Sequence, residues 1–128
     1  MVQSINKRVE QHGNAFKNAI NGFKWAIRSQ ANYQMHLIIS IIVMLASYIL
    51  NISYFEWLLV IFAITIGLVV EAINTAIEAT TDAITKEWKK EIKIAKDVSA
   101  AAMLTYVVGV SILALLIFVP KIINLMVY

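Results

Sequence analysis

The sequence predicts an all-α integral membrane protein, in which an N-terminal amphipathic surface helix precedes three transmembrane helices. Of its 128 residues, 60% are hydrophobic and only 15% are charged, and the mean hydropathy is +0.74. A soluble domain of this size cannot bury so much apolar surface. Three apolar segments each approach the roughly 20 residues that a helix needs to cross the hydrocarbon of a bilayer. None of them alternates as a strand would, so helices are expected.

The first element, at about residues 5–30, has the pattern of a helix that lies in the membrane surface. In the stretch NAFKNAINGFKWAI, apolar residues recur at spacings of three and four, and basic residues take the other faces. Trp25 adds an aromatic ring suited to the interface. The pattern is that of an anchor, and the alternative is a lid over whatever the rest of the chain binds.

The chain is expected to form one domain over residues 1–128. The first two spans are separated by only a few residues around Asn51, which forces an antiparallel hairpin. The second span continues as a cytoplasmic helical extension to about residue 86, and Pro120 closes the third span. The three spans fall at about residues 35–52, 54–72 and 97–119.

The basic residues predict the orientation. Ten of the eleven Lys and Arg residues lie before the first span or between the second and third, and Lys121 alone follows the third. The positive-inside rule assigns that side to the cytoplasm, together with the N-terminus. A net charge of +3 could suggest a nucleic-acid partner, but these residues flank membrane spans. Anionic lipid headgroups explain them better, and no nucleic acid is expected.

The segment EAINTAIEATTD follows fourteen residues that carry no charge. In a helix its polar residues Glu71, Asn74, Glu78 and Asp82 fall within one stripe about 80° wide. Glu78 and Asp82 are four residues apart and repel each other unless a cation such as Mg²⁺ lies nearby. Glu71 adjoins the apolar run and suits a proton acceptor. The alternative is that these side chains are solvated on a helix that has left the bilayer.

The connection to the third span is rich in lysine. Lys96 and Asp97 open that span, where Asp97 can cap the helix and Lys96 can point back at the stripe. The alternative is that these residues serve only capping and membrane orientation. The four glycines are isolated, so a nucleotide site would not be of the P-loop type. The chain has no cysteine, which excludes a disulfide framework and a thiolate metal site.

The motif E-A-I-N-T-A-I-E-x-x-x-D, followed by A-K-D-V-S-A-A-A, resembles the signature of the small prokaryotic diacylglycerol kinases. The order of a surface helix, three spans and a cytoplasmic loop matches as well, so the resemblance covers essentially the whole chain. Details of I-N-T-A-I-E and I-A-K-D-V are more similar to the Gram-positive branch, whose members phosphorylate undecaprenol. The Gram-negative branch phosphorylates diacylglycerol.

The resemblance implies a role for each matching residue. Glu71 would be the catalytic base that takes the proton of the lipid hydroxyl, and Asn74 would position the reacting groups. Glu78 would hold Mg²⁺ on the phosphates of ATP. The residues that match positions of the nucleotide site are Glu78, Asp82, Lys96 and Asp97. The family is a homotrimer of the bacterial cytoplasmic membrane with sites shared between subunits, and the same assembly is expected here.

One position departs from the family pattern. Members commonly show E-x-N-x-x-x-H before the first span, and its glutamate is the second metal ligand. This chain reads QANYQMH, so Asn32 and His36 fit, whereas Gln30 stands in place of the glutamate. An amide oxygen can coordinate Mg²⁺ but brings no charge. Metal affinity is then weaker, or another carboxylate compensates, or the activity is altered or lost.

Taken with the resemblance, the sequence predicts a membrane lipid kinase that transfers the γ-phosphoryl group of MgATP to a lipid alcohol, with undecaprenol favoured. An insoluble alcohol can reach Glu71 laterally from the bilayer while ATP arrives from water. Diacylglycerol is the alternative substrate, with phosphatidic acid as the product. A non-enzymatic membrane assembly or regulatory protein, in which Gln30 marks a lost activity, is the alternative of another class.

Overall fold

The computed structural model describes the backbone of residues 2–127 and the side chains of residues 13–127. Within the described backbone the chain forms no strand and four helices: α1 (Val2–Ser29), α2 (Ala31–Ile49), α3 (Tyr54–Ile84) and α4 (Lys90–Val127). The last three are each long and apolar enough to cross a membrane, and many of their large apolar side chains face outward. Such surface needs lipid or protein around it. The predicted fold class, an all-α integral membrane protein, is confirmed.

The first helix carries an exposed apolar face in its described part, which includes Phe16 and Phe23. The side chains of Lys7 and Arg8, which contributed to the charge argument, lie outside the described residues. The backbone of Gln30 is extended, with φ −110° and ψ 108°, and this break separates α1 from α2. Helix α2 follows this break directly. It begins at Ala31, four residues before the predicted start of the span.

Two contacts hold the end of α1 against the first turns of α2. The ring of Phe23 meets the buried ring of Tyr33 edge to face, with the ring centroids 6.1 Å apart. The side-chain amide of Gln34 donates a hydrogen bond to the carbonyl of Ile27 at 2.9 Å. These contacts fix the angle at which the surface helix meets the first span.

A tight hairpin joins α2 to α3, as the short connection predicts. Asn51 adopts a positive φ of 47°, a conformation that asparagine tolerates better than most residues. Ser53 then caps α3: its side chain accepts a hydrogen bond from the backbone of Glu56, whose carboxylate accepts one from the backbone of Ser53. This capping box starts α3 firmly at the hairpin.

The third helix runs unbroken through the polar stripe. Its 31 residues correspond to a length of about 46 Å, which exceeds the roughly 30 Å of hydrocarbon. One end of α3 therefore projects beyond the apolar layer. Because the helix starts at the hairpin, the projecting end is the one that carries the predicted site.

The fourth helix is longer than the predicted span at both ends. It begins at Lys90, so Asp97 lies two turns inside the helix and does not cap it, contrary to the prediction. Lys93 and Asp97 pair one turn apart at 2.5 Å, which favours helix in this lysine-rich segment. Pro120 does not end the helix, which continues to Val127. Proline is tolerated in membrane helices because neighbouring groups satisfy the freed carbonyl.

Helix α4 runs along α3 in the opposite direction, since Lys96 pairs with Asp82 near one end and Ile117 packs with Val60 near the other. Helix α2 also packs against α3. The best-buried apolar cluster is near the hairpin and is formed by Ile52, Val60 and Ile117. At the same end, the ammonium of Lys121 lies 3.3 Å from the carboxylate of Glu56 and links the two helix ends. The predicted site lies at the opposite end of this bundle.

Candidate active site

The polar stripe of α3 passes from a buried to an exposed environment. Glu71 is only 2% exposed and Asn74 is 6% exposed, although both are polar. Glu78, one turn further on, is partly buried, and Asp82 is exposed. The same helix face therefore offers a dry carboxylate at one end and a hydrated carboxylate at the other. A buried carboxylate at membrane depth is costly, and such residues usually serve a site.

A polar pocket of about 250 Å³ surrounds the buried part of this stripe. Three helices contribute to it, so it depends on the packing of the bundle. The residues that line the pocket are Asn32, Met35 and His36 of α2, Glu71, Asn74 and Glu78 of α3, and Ala100 and Met103 of α4.

Two of these residues, Asn32 and His36, were not assigned a role from the sequence. They are four residues apart, so the helical repeat places them on one face of α2. Nε2 of His36 lies 4.0 Å from a carboxylate oxygen of Glu71. The imidazole is thus close enough to interact with the charge on Glu71. Their four-residue spacing could be read from the sequence as one helix face. The sequence did not show that this face meets Glu71.

Asn74 links the buried and exposed parts of the stripe. Its amide nitrogen donates a hydrogen bond to a carboxylate oxygen of Glu78 at 3.1 Å. Its carbonyl oxygen, Oδ1, is buried and finds no hydrogen-bond partner among the described residues. A buried acceptor without a partner is unfavourable. This oxygen is therefore available to a donor or a cation other than the described residues.

Lys96 of α4 reaches across to α3 and forms an ion pair with Asp82. Its backbone carbonyl accepts a hydrogen bond from the buried hydroxyl of Ser99 at 2.9 Å, which ties this turn of α4 together. The predicted position of Lys96, pointing back at the stripe, is found in the structure. The pair lies at the exposed end of the stripe, one turn beyond Glu78.

Four predicted site residues do not line the pocket: Asp82 and Lys96, which pair with each other, and Asp97 and Gln30. The carboxylate of Asp97 is exposed and pairs with Lys93, one turn earlier on the same helix. Gln30 occupies the break before α2, does not line the pocket and makes no side-chain hydrogen bond to the start of that helix. The pocket instead receives Asn32, two residues later.

The oxygen donors suit a hard cation that keeps part of its own hydration shell. Among the described residues, no group of three or more His, Asp or Glu side chains is placed to hold a metal ion. A fully protein-made cage is therefore not formed by these residues. Glu78 nevertheless contacts the side-chain amide of Asn74 through the amide nitrogen, and the unpartnered oxygen belongs to that same amide. One or two protein oxygens of this kind, completed by water and phosphate, are usual for Mg²⁺.

Comparison with known proteins gives the family. A model of the prokaryotic diacylglycerol kinase family matches residues 17–118, a range that contains every residue of the pocket. The undecaprenol kinase of Bacillus subtilis (strain 168) is 34% identical over 107 residues, which are 84% of this chain and 87% of that protein.

Two further relatives are named diacylglycerol kinases. The protein of Pseudomonas aeruginosa is 33% identical over 89 residues, covering 70% of this chain and 72% of the relative. The protein of Synechocystis sp. is 25% identical over 114 residues, which cover 88% of this chain and 65% of the relative. The family match extends over most of the chain, so the resemblance seen in the sequence is confirmed. The chain belongs to the prokaryotic diacylglycerol kinase family and is a membrane lipid kinase.

Proposed function

We propose that this protein phosphorylates a long-chain lipid alcohol, undecaprenol in the first place, with MgATP as the phosphoryl donor. The observation that carries the proposal is the buried Glu71 at the junction of the three membrane helices, with the exposed Asp82–Lys96 pair three turns away on the same side of the bundle. A lipid hydroxyl can approach Glu71 from the bilayer, and a nucleotide can approach the exposed end from water. Both substrates then meet along one helix face.

In the proposed reaction, Glu71 accepts the proton of the lipid hydroxyl. The alcohol oxygen forms a bond to the γ-phosphorus of ATP, the bond from that phosphorus to the β-phosphate oxygen breaks, and ADP leaves. His36, 4.0 Å from Glu71, helps to hold the carboxylate in place. Such a reaction needs positioning and charge stabilisation more than covalent chemistry by the protein.

Asn74 and Glu78 are the residues proposed to hold Mg²⁺ beside the phosphates. The buried, unpartnered oxygen of Asn74 and the adjacent carboxylate of Glu78 are the observations that fit this ion. Mg²⁺ when bound would neutralise negative charge on the phosphate oxygens. Lys96 lies at the outer end of the same stripe and is proposed to contact phosphate oxygens, with Asp82 and Asp97 as further residues of the nucleotide site.

The basic residues support a cytoplasmic site in a bacterial plasma membrane. Five lysines follow Asp82 within fourteen residues, and this part of the chain joins α3 to α4 at the same end of the bundle as the pocket. The positive-inside rule places this end in the cytoplasm, where ATP is available. A homotrimer is proposed as well, because Ala100, Ala101 and Ala102 are exposed on α4 and small residues allow helices to approach closely.

Undecaprenol is preferred over diacylglycerol because of identity and coverage taken together. The undecaprenol kinase of Bacillus subtilis is 34% identical over 84% of this chain. The diacylglycerol kinase of Pseudomonas aeruginosa is 33% identical over only 70%, and that of Synechocystis sp. is only 25% identical, over 88%. The first two identities are nearly equal, so diacylglycerol is kept as the second candidate. Both lipids present a hydroxyl at the end of a long apolar body, as the site requires.

The test is direct phosphorylation by the purified protein in lipid vesicles. With labelled ATP and Mg²⁺, label is expected in undecaprenol in preference to diacylglycerol, and chelation of Mg²⁺ should stop the transfer. Label in diacylglycerol alone would replace the proposed substrate by the second candidate. Label in neither lipid would overturn the proposal.

Replacing Gln30 by glutamate is expected to lower the Mg²⁺ concentration needed for half-maximal activity. The two side chains are nearly isosteric, and a carboxylate attracts Mg²⁺ more strongly than an amide dipole does. For this effect the side chain must turn from the break between α1 and α2 towards Asn32. The control for charge is Gln34→Glu, which adds the same charge one turn away, outside the pocket, and also removes the hydrogen bond to Ile27. If Gln30→Glu needed the same or a higher Mg²⁺ concentration for half-maximal activity, Gln30 would not be part of the metal site.

A further inference from the structure

An apolar cavity of about 270 Å³ lies between α2, α3 and α4. It extends from the level of the polar pocket towards the hairpin between α2 and α3. Its walls come mostly from aliphatic and small side chains, including Val43, Val60 and Ile117. Its volume is close to the lower end of ligand sites, which are commonly about 300–1,000 Å³.

The cavity and the polar pocket meet at one level of the bundle. His36 lines both of them. On α3, Glu71 lines the pocket, and Gly67, one turn away, lines the cavity. On α4, Met103 lines the pocket and Tyr106 lines the cavity. An apolar body in the cavity would therefore end beside the carboxylate proposed to act as the base.

Tyr106 lies across this junction. Its hydroxyl donates a hydrogen bond to the backbone carbonyl of Ala63 at 2.7 Å, which satisfies a polar group that would otherwise be unpaired among apolar side chains. Its ring packs directly over Gly67, where a methyl group would come within 2.6 Å of Cζ of the tyrosine. The absence of a side chain at Gly67 is thus what allows the ring to cross between α4 and α3.

We propose that Tyr106 is a specificity-determining residue that admits one hydrocarbon chain, and not two, from the cavity to Glu71. The proposal rests on the lipid kinase function proposed above and names the cavity as the place of the substrate's hydrocarbon chain. The ring extends from α4 to α3 and is held there by the bond to Ala63 and by the contact with Gly67, one turn apart on α3. It therefore narrows the passage at the level where the alcohol must present its hydroxyl. A single-chain polyprenol can pass such a restriction more easily than a lipid with two acyl chains.

The inference is tested by comparing kcat/KM for undecaprenol and for diacylglycerol in three proteins. In Tyr106→Ala the ring is lost, and the preference for undecaprenol should fall by about tenfold, a typical effect of altered fit in an apolar pocket. Tyr106→Phe keeps the ring and loses only the hydroxyl, so its preference should stay near that of the unchanged protein. The quantity compared is the ratio of the two kcat/KM values within one preparation. A smaller folded fraction lowers the rates with both lipids equally and leaves this ratio unaltered.

A short, water-soluble prenol supplies a second measurement. Its chain does not extend past Tyr106, so its KM should be the same in all three proteins. A lipid preference that is unchanged in Tyr106→Ala would overturn the role of Tyr106 while leaving the kinase proposal intact. If Tyr106→Phe lost the preference for undecaprenol as fully as Tyr106→Ala, the proposal would also be overturned. The aromatic ring, which phenylalanine keeps, would then not be the cause of the preference. Phosphorylation of neither lipid by the unchanged protein would instead contradict the proposed function.

Discussion

Glu71→Gln is expected to lower lipid phosphorylation by at least about a hundredfold, the low end of what a general base contributes. Glutamine fills nearly the same volume, so the buried position, which is only 2% exposed in the native chain, need not repack. The amide cannot take the proton of the lipid hydroxyl. Nucleotide binding should persist, because the residues proposed for it lie one to three turns further along α3 and on α4.

The control for this variant is Glu56→Gln at the opposite end of the same helix. Glu56 caps α3 and pairs with Lys121, so its replacement should lower stability but not the turnover of each folded molecule. The two variants thus separate the loss of a structural carboxylate from the loss of the base. Substantial turnover in Glu71→Gln, with nucleotide binding intact, would exclude Glu71 as the proton acceptor.

The helices and the polar stripe could be predicted because each is encoded locally. Apolar runs of sufficient length specify membrane helices by themselves, and the spacing from Glu71 to Asp82 defines one helix face without reference to any other element. The hairpin at Asn51 is likewise local, because the connection is too short for another arrangement. Even the approach of Lys96 to the stripe follows once α3 and α4 are antiparallel neighbours.

The ends of α4 could not be predicted correctly because both contain contradictory local signals. The segment before Lys96 is rich in lysine and reads as a loop, but lysine is a good helix former and Asp97 pairs with Lys93. Pro120 normally ends a helix. Here the chain continues as helix beyond it, and the pairing of Lys121 with Glu56 fixes the next residue against α3.

The pocket and the cavity could not be predicted because they arise from packing. Asn32 and His36 share a helix face with many apolar residues, and nothing local shows that this face meets Glu71. The position of Tyr106 depends on a glycine 39 residues earlier in the sequence, at a contact between two helices. The sequence also pointed to Gln30 through its place in a motif, whereas the packing brings Asn32 to the pocket.

Glu78→Ala is expected to raise the Mg²⁺ concentration for half-maximal activity by at least about tenfold, as loss of a group that supports a metal site commonly does. The proposed site already lacks the charge that glutamate would bring at Gln30, so the carboxylate of Glu78 carries much of the attraction for Mg²⁺. Its removal also leaves the amide nitrogen of Asn74 without the hydrogen bond observed at 3.1 Å. The measurement is activity against free Mg²⁺ at a fixed concentration of ATP.

Glu78→Gln separates these two effects, because its amide oxygen can still accept the hydrogen bond from Asn74 but carries no charge. If Glu78 binds Mg²⁺, the glutamine variant should need nearly as much Mg²⁺ as the alanine variant, since both lack the carboxylate. If Glu78 only orients Asn74, glutamine should restore the native requirement and alanine alone should be impaired. An unchanged Mg²⁺ titration in both variants would make Glu78 a surface residue without a part in the reaction. The ion would then have to be held by other oxygens, with the unpartnered carbonyl of Asn74 the first to examine.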